Sequence, residues 1–388
     1  MMQQTCWNVW PDRGFLLNPD PLTALRDVNG LDNFISYEIL EHIEQLAGEL
    51  PTLLASHQLR PTLDDLPLYD LSSLRNSDDA LDFRIVERLM QIYSYFASSY
   101  VYATDEEPAQ HIPAGVAVPL HQLAQLVERP PILSYSGYVL TNWRRINPDG
   151  DIALGNIELI QQFLGNRDEQ WFILVHVDIE ARAAQALTHL PQAMDAAASR
   201  DMPQLEAALH KIAESIGAMH KTFSRMPEAC DPDVYYRIVR PYIFGFNDVV
   251  YEGVAEYDGQ PQSFRGQTGA QSSIVPALVT AFGLEHEQSG LTQHLRVMRR
   301  YMPKPHREFL TSLEASTIRA YVQDVRQASL TDAYNECLRA LGKFRQLHLQ
   351  YTTTYIFEKV DNPIGTGGTI YRDWLSQLVD ETEAQLIS

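Results

Sequence analysis

The stretch YNECLRALGKFRQLHLQYTTTY, residues 334–355, decides the fold class. Tyr334, Cys337, Leu341, Phe344, Tyr351 and Tyr355 recur every three or four residues, the spacing of an amphipathic helix. His348 falls inside that apolar stripe. A buried imidazole needs partners for its ring nitrogens, and a neighbouring polar group or a metal ion would serve. Arg345 stands three residues earlier, and a glycine-rich run, Gly365-Thr366-Gly367-Gly368-Thr369, follows shortly after. These two features favour the metal. Read alone, the glycine-rich run is equally a flexible hinge before a last helix.

The same period extends outward along the chain. It predicts helices over Asn33–Leu50, ending before Pro51, over Asp82–Tyr102 and over Gln170–His189. Met202–Phe223 carries the stripe Leu205, Leu209, Ile212, Ile216 and Met219. Further helices are expected over Pro119–Val127, Ser136–Asn147, Pro232–Phe244, Gln271–Phe282, Leu291–Tyr301, Pro305–Leu313 and Tyr371–Leu386, with Leu63–Asn76 as a wandering connection. Strand-like alternation is scarce, so the expected class is all-α. The segment Ala103–Pro113, with Asp105, Glu106, Glu107 and Pro108, reads as a linker. It divides a small helical N-terminal domain (residues 1–112) from a large helical domain (residues 113–388).

The bulk numbers exclude several classes. A formal net charge of −20 over 388 residues argues against unspecific binding to nucleic acid or anionic lipid. The three cysteines, Cys6, Cys230 and Cys337, form no C-x-x-C pair and no disulfide framework, which points to a reducing, cytoplasmic setting. Met1–Gly14 lacks the pattern of a signal peptide, and no run of eighteen apolar residues predicts a membrane span. There is no H-E-x-x-H, since His286-Glu287 lacks its second histidine, and the glycine-rich run lacks the lysine of a P-loop. His286 and His294 read with most other histidines as surface or core-edge residues, and His220 and His306 as structural hydrogen bonders. His176 differs, because Trp171-Phe172-Ile173-Leu174-Val175-His176-Val177 is too apolar for a solvated imidazole.

Several motifs in fixed order carry a resemblance. They are Pro130-Pro131-Ile132-Leu133-Ser134-Tyr135, Leu140-Thr141-Asn142-Trp143, the Phe172–Glu180 segment, Tyr235-Tyr236 with Arg240-Pro241, Thr268-Gly269-Ala270-Gln271-Ser272-Ser273, Met298-Arg299-Arg300-Tyr301-Met302-Pro303, Phe344-Arg345-Gln346-Leu347-His348, and Gly365–Thr369. Through them the chain resembles the indoleamine 2,3-dioxygenase family, haem enzymes that open the indole ring of tryptophan. The resemblance implies haem b in the large domain, with His348 as the proximal iron ligand and Arg345 paired with a propionate. It implies Arg240 as the grip on a substrate carboxylate. Tyr135, Tyr138, Phe172, Tyr235 and Tyr236 would form the pocket walls. Thr268, Gly269 and Ala270 would lie over the substrate, and Thr366 in a closing lid. It further implies an indole substrate and dioxygen, an electron donor for the iron, a monomer, and N-formylkynurenine as the product from L-tryptophan.

His176 departs from the vertebrate members, which carry a serine there. It is the candidate catalytic residue, as acceptor of an indole N–H or partner of dioxygen, or else a sixth iron ligand. Tyr138 is larger than is common at its position, and Tyr235 adds a hydroxyl. Two competing readings stand beside the dioxygenase: another oxidation of a tryptophan derivative by a haem enzyme, and a haem-binding sensor or carrier without turnover.

Overall fold

The computed structural model describes residues 7–25, 35–76, 82–287, 290–359 and 371–388. It is mostly helical. The helices are α1 (Tyr37–Ala55), α2 (Leu59–Asp64), α3 (Phe83–Val101), α4 (Ala114–Leu126), α5 (Arg167–Arg182), α6 (Ala184–Ala198), α7 (Met202–Phe223), α8 (Ile274–Ala281), α9 (Gly290–Arg299), α10 (Lys304–Leu313), α11 (Ile318–Val325), α12 (Ala328–Tyr355) and α13 (Tyr371–Ala384). A small sheet sits at one side, where His111–Ile112 pairs in parallel with Phe246–Tyr251, which pairs antiparallel with Gln262–Phe264.

Helix α7 is the platform. Asp201 caps it by accepting from the Gln204 amide, and its stripe Leu205, Leu209, Ile212, Ile216 and Met219 is buried. Three helices pack on it: α5, α6 and α12. Each fully buried Leu or Ile in such a stripe contributes about 1.5–3 kcal/mol. Helix α12 in turn packs against α13.

Helix α5 starts at a capping box. Asn166 accepts from the Glu169 amide at 2.8 Å. The buried Glu169 carboxyl reaches back to accept from the amides of Phe163, Leu164 and Gly165 at 2.7, 2.9 and 3.3 Å. This fixes the rotational setting of α5, and with it the direction taken by Phe172, His176 and Glu180.

Helix α3 is buried on every side from Ile85 to Val101. Its charged residues are therefore paired, as buried charges must be. Glu87 accepts from Arg129 at 2.6 and 3.0 Å, and Arg88 donates to Glu44 at 2.9 Å. Arg129 also donates to Ser136 Oγ, and Gln91 to the Gly137 carbonyl. These contacts pin the segment 129–140, which forms the roof of the site described below. Helices α3 and α4 pack on each other, so the apolar core is continuous across the boundary expected near residue 112.

Several elements differ from expectation. Helix α1 runs through Pro51 to Ala55, because Leu50 and Leu54 both bury on its inner face. The stretch Gln170–His189 is two helices that turn at Ala183. Ser136–Leu140 and Tyr235–Val239 are π-helical turns rather than α-helices, a geometry that often marks functional sites. Helices α2 and α11 and the small sheet were not anticipated. Among the described residues no helix is long and apolar enough to cross a membrane.

The roof depends on the Glu87–Arg129 pair. Glu87→Ala leaves a buried guanidinium without its counter-charge, so chemical denaturation should show a loss of about 3–5 kcal/mol. The double variant with Glu87→Leu and Arg129→Met should lose less than either single substitution. A loss below about 1 kcal/mol for Glu87→Ala would refute the role assigned to the pair.

Candidate functional site

A cavity of about 510 Å³ opens between α5 and α12, within the usual range of roughly 300–1,000 Å³ for small-molecule sites. His176 of α5 and His348 of α12 both line it. Phe223, the last residue of α7, packs near both, with ring centroids 6.2 Å from His176 and 6.1 Å from His348. Each imidazole keeps some accessible surface, and that surface faces the cavity.

The two histidines are poised differently. His176 Nδ1 lies 2.7 Å from the Phe172 carbonyl. It donates there, which leaves Nε2 as an acceptor available to the cavity. Burial lowers the His176 pKa, and the backbone hydrogen bond only partly opposes this. His348 has no side-chain hydrogen bond to any described residue. Burial, then the nearby charges of His176 and Arg345, push its pKa down to about 4. It is therefore neutral at neutral pH, the state an imidazole needs to bind iron.

The walls are largely aromatic. Phe172 stacks on Tyr235 at 4.5 Å and tilts against His176 at 4.7 Å. Tyr135 meets His176 edge-on at 6.3 Å, and its amide donates to Gln271 Oε1 at 2.9 Å. The Thr268 side chain caps the turn Gly269–Gln271 by accepting from the Ala270 amide, which brings Thr268, Gly269 and Ala270 to the cavity edge.

The residues singled out in the sequence therefore fall into three groups. Tyr135, Phe172, His176, Tyr235, Thr268, Gly269, Ala270, Arg345 and His348 share the cavity. Tyr138, Tyr236 and Arg240 do not line it. Tyr138 is fully buried behind Phe172, with ring centroids 6.4 Å apart. Arg240 is buried with its guanidinium over the rings of Tyr236 and Phe244, at 5.1 and 4.8 Å. Thr366 and the rest of Gly365–Thr369 lie outside the described residues.

Arg345 is committed differently from expectation. Its guanidinium donates to the Leu378 carbonyl at 2.9 Å, to Thr382 Oγ1, and towards His286 Nε2 at 3.4 Å. His286 in turn hydrogen-bonds through Nδ1 to Glu381. Burial pulls the Arg345 pKa down to about 10. The residue thus ties α12 to α13 while lining the cavity.

Sequence reasoning missed other wall residues. His286 and His294, expected at the surface or core edge, line the cavity, as do Ser272, Arg296, Arg299 and Trp374. Ser272 and Arg299 lay within quoted motifs, a signal that could have found them. His286, His294 and Trp374 arrive through the packing of α9 and α13 and carried no local signal.

The donor set suits an iron that brings most of its own ligands. Among the described residues no three His, Cys, Asp or Glu side chains gather to hold a bare metal ion. His348 or His176, both lining this largely apolar cavity, could hold the iron of a flat macrocycle such as haem through a neutral ring nitrogen.

Comparison with known proteins agrees with this geometry. The sequence profile described as "Indoleamine 2,3-dioxygenase" matches residues 3–385. Indoleamine 2,3-dioxygenase 1 of Mus musculus is 32% identical, with 97% of this chain and 94% of the mouse protein covered. Indoleamine 2,3-dioxygenase 2 of Homo sapiens is 31% identical, covering 97% and 93%. A protein named myoglobin from Haliotis madaka is 28% identical over 98% of both chains. With the match running almost end to end, the chain belongs to the indoleamine 2,3-dioxygenase family.

Proposed function

We propose that this chain is a haem-dependent dioxygenase that cleaves the indole C2–C3 bond of L-tryptophan or a close relative. One observation carries the reading: two imidazoles from different helices, His176 of α5 and His348 of α12, line one largely aromatic cavity. Bound there, haem b supplies the iron chemistry that activates dioxygen, with N-formylkynurenine as the product from L-tryptophan.

His348 holds the cofactor on one face through a neutral ring nitrogen. Phe172, Tyr235 and Tyr135 offer flat surfaces for an indole ring. His176 Nε2 accepts the indole N–H and thereby orients the ring. The apolar lining keeps water away from the reacting bond. Arg296, Arg299 and Arg345 are the guanidinium side chains that line the cavity in this conformation. Arg240 reaches a ligand carboxylate only by leaving its seat on Tyr236 and Phe244.

A second reading has a specific observation in its favour. If His176 Nε2 binds iron from the open face, dioxygenation stops and the protein carries haem, a role in keeping with the relative named myoglobin.

Haem-loaded, reduced protein given L-tryptophan and doubly labelled dioxygen should yield a product carrying both labelled atoms, read by mass spectrometry. A single labelled atom would replace the reading with monooxygenation. No product, together with a six-coordinate low-spin spectrum, would favour the carrier. His348→Ala should lose bound haem, and retention with an unchanged spectrum would sink the ligand assignment. His176→Ala should keep haem yet lose about tenfold in turnover or substrate affinity, the worth of about one hydrogen bond. Unchanged kinetics would remove His176 from the mechanism.

A further inference from the structure

Glu180 lies beside the cavity and has no part in the function proposed above. It is fully buried, and it sits four residues after His176, on the same face of α5. Ser272, a cavity-lining residue, donates from Oγ to Glu180 Oε1 at 2.7 Å. The second oxygen, Oε2, is buried and makes no hydrogen bond to any described residue.

Among the described residues no cation acts to hold Glu180 ionised. The roof contributes the Tyr135 hydroxyl, and the turn before α8 contributes Ser272. The N-terminal loop contributes backbone at Gly14, which sits so tightly that an added Cβ would lie 2.7 Å from the Glu180 carbonyl oxygen. The nearest charged residue of that loop, Arg13, is committed to Asp12 and Asp20. On α5 itself Arg182 pairs with Asp178. His306, tilted against Phe15, is held neutral by burial, its pKa pushed down to about 3. Burial accordingly pushes the Glu180 carboxyl up to about 7, against the opposing influence of the Ser272 and Tyr135 hydroxyls.

The hydrogen-bond inventory of this pair gives it two states. An ionised carboxylate only accepts, whereas a protonated one also donates. A serine hydroxyl has one hydrogen to give. While Glu180 is ionised, the Ser272 hydrogen is spent on it. Once Glu180 is protonated, its own O–H can donate to Ser272 Oγ, and the Ser272 hydrogen is released to another acceptor.

We propose that Glu180 is a positioning residue whose protonation turns the Ser272 hydroxyl into the cavity, where it holds the anionic group of a bound aromatic carboxylate. The choice of ligand class rests on the functional reading above; the switch itself rests on the buried Ser272–Glu180 pair. A carboxylate beside Ser272 also repels an ionised Glu180, so binding and proton uptake reinforce each other.

The sign follows. Glu180 is protonated below its raised pKa, so anion affinity is full below neutral pH and falls as pH rises above it. His348, with its pKa pushed down to about 4, stays neutral across this window, and burial lowers the pKa values of His176, His286 and His294 as well.

The test is calorimetric titration of the haem-loaded protein from about pH 6 to about pH 8.5, with indole-3-propionate as the anionic probe and indole-3-ethanol as the neutral one. The anionic probe should weaken by about tenfold per pH unit above neutral, with uptake of close to one proton, while the neutral probe stays level. Glu180→Gln places a permanent N–H donor against Ser272. It should abolish the slope and, at about pH 8.5, bind the anion at least about tenfold more tightly than the parent. Ser272→Ala should bind weakly throughout and keep only the shallow slope left by repulsion from Glu180, well short of the parental one, and it serves as the second variant should Glu180→Gln misfold. The parental slope persisting in Glu180→Gln or in Ser272→Ala would overturn the proposal. So would a slope shared by the neutral probe, or failure of the anionic probe to bind. None of these readouts requires turnover, so a missing dioxygenase activity would count against the functional reading alone.

Discussion

Helices α5 and α12 are both packed on α7, and the cavity exists because that platform holds them apart. The buried stripe of α7 fixes their separation, and Phe223 at its end packs its ring near both histidines. A shift of either helix would have to displace that ring. Dense side-chain packing resists such a shift, because protein interiors have few voids to absorb it. A flat cofactor could therefore be offered two neutral nitrogens at a set spacing, with little reorganisation on arrival.

The electrostatics follow from burial more than from pairing. The chain is strongly acidic overall, yet the cavity is lined by arginine side chains from α9 and α12. Low local polarity keeps His176 and His348 uncharged and Glu180 close to its midpoint at neutral pH. The ion pairs that are deeply buried, Glu87–Arg129 above all, lie in the scaffold around the roof. Paired permanent charge thus serves rigidity around the roof, while the cavity combines arginine side chains with groups that can change charge.

Much of this was legible in the sequence. The uninterrupted stripe of Met202–Phe223 marked that helix end to end. His348 and His176 stood out because an imidazole in an apolar run demands an explanation. Elsewhere local pattern and tertiary result parted. The π-helical turns at 136–140 and 235–239 share the apolar spacing of an α-helix, and only their packing adds the extra residue per turn. The corner at Ala183 is hidden among good helix formers. Motif order pointed to Tyr138 and Arg240, but which side of Phe172 or Tyr236 each occupies is a matter of rotamers and neighbours. His286, His294 and Trp374 reach the site through contacts distant in sequence, which no local window reveals.

The last helix contributes more than a closing stroke to the fold. Arg345 reaches from the histidine-bearing helix to the Leu378 carbonyl and Thr382, while Trp374, Leu375 and Leu378 form part of the cavity wall. Without residues 374–382 packed in place this side of the cavity would stand open, so one set of contacts both anchors the histidine-bearing helix and closes the wall beside it.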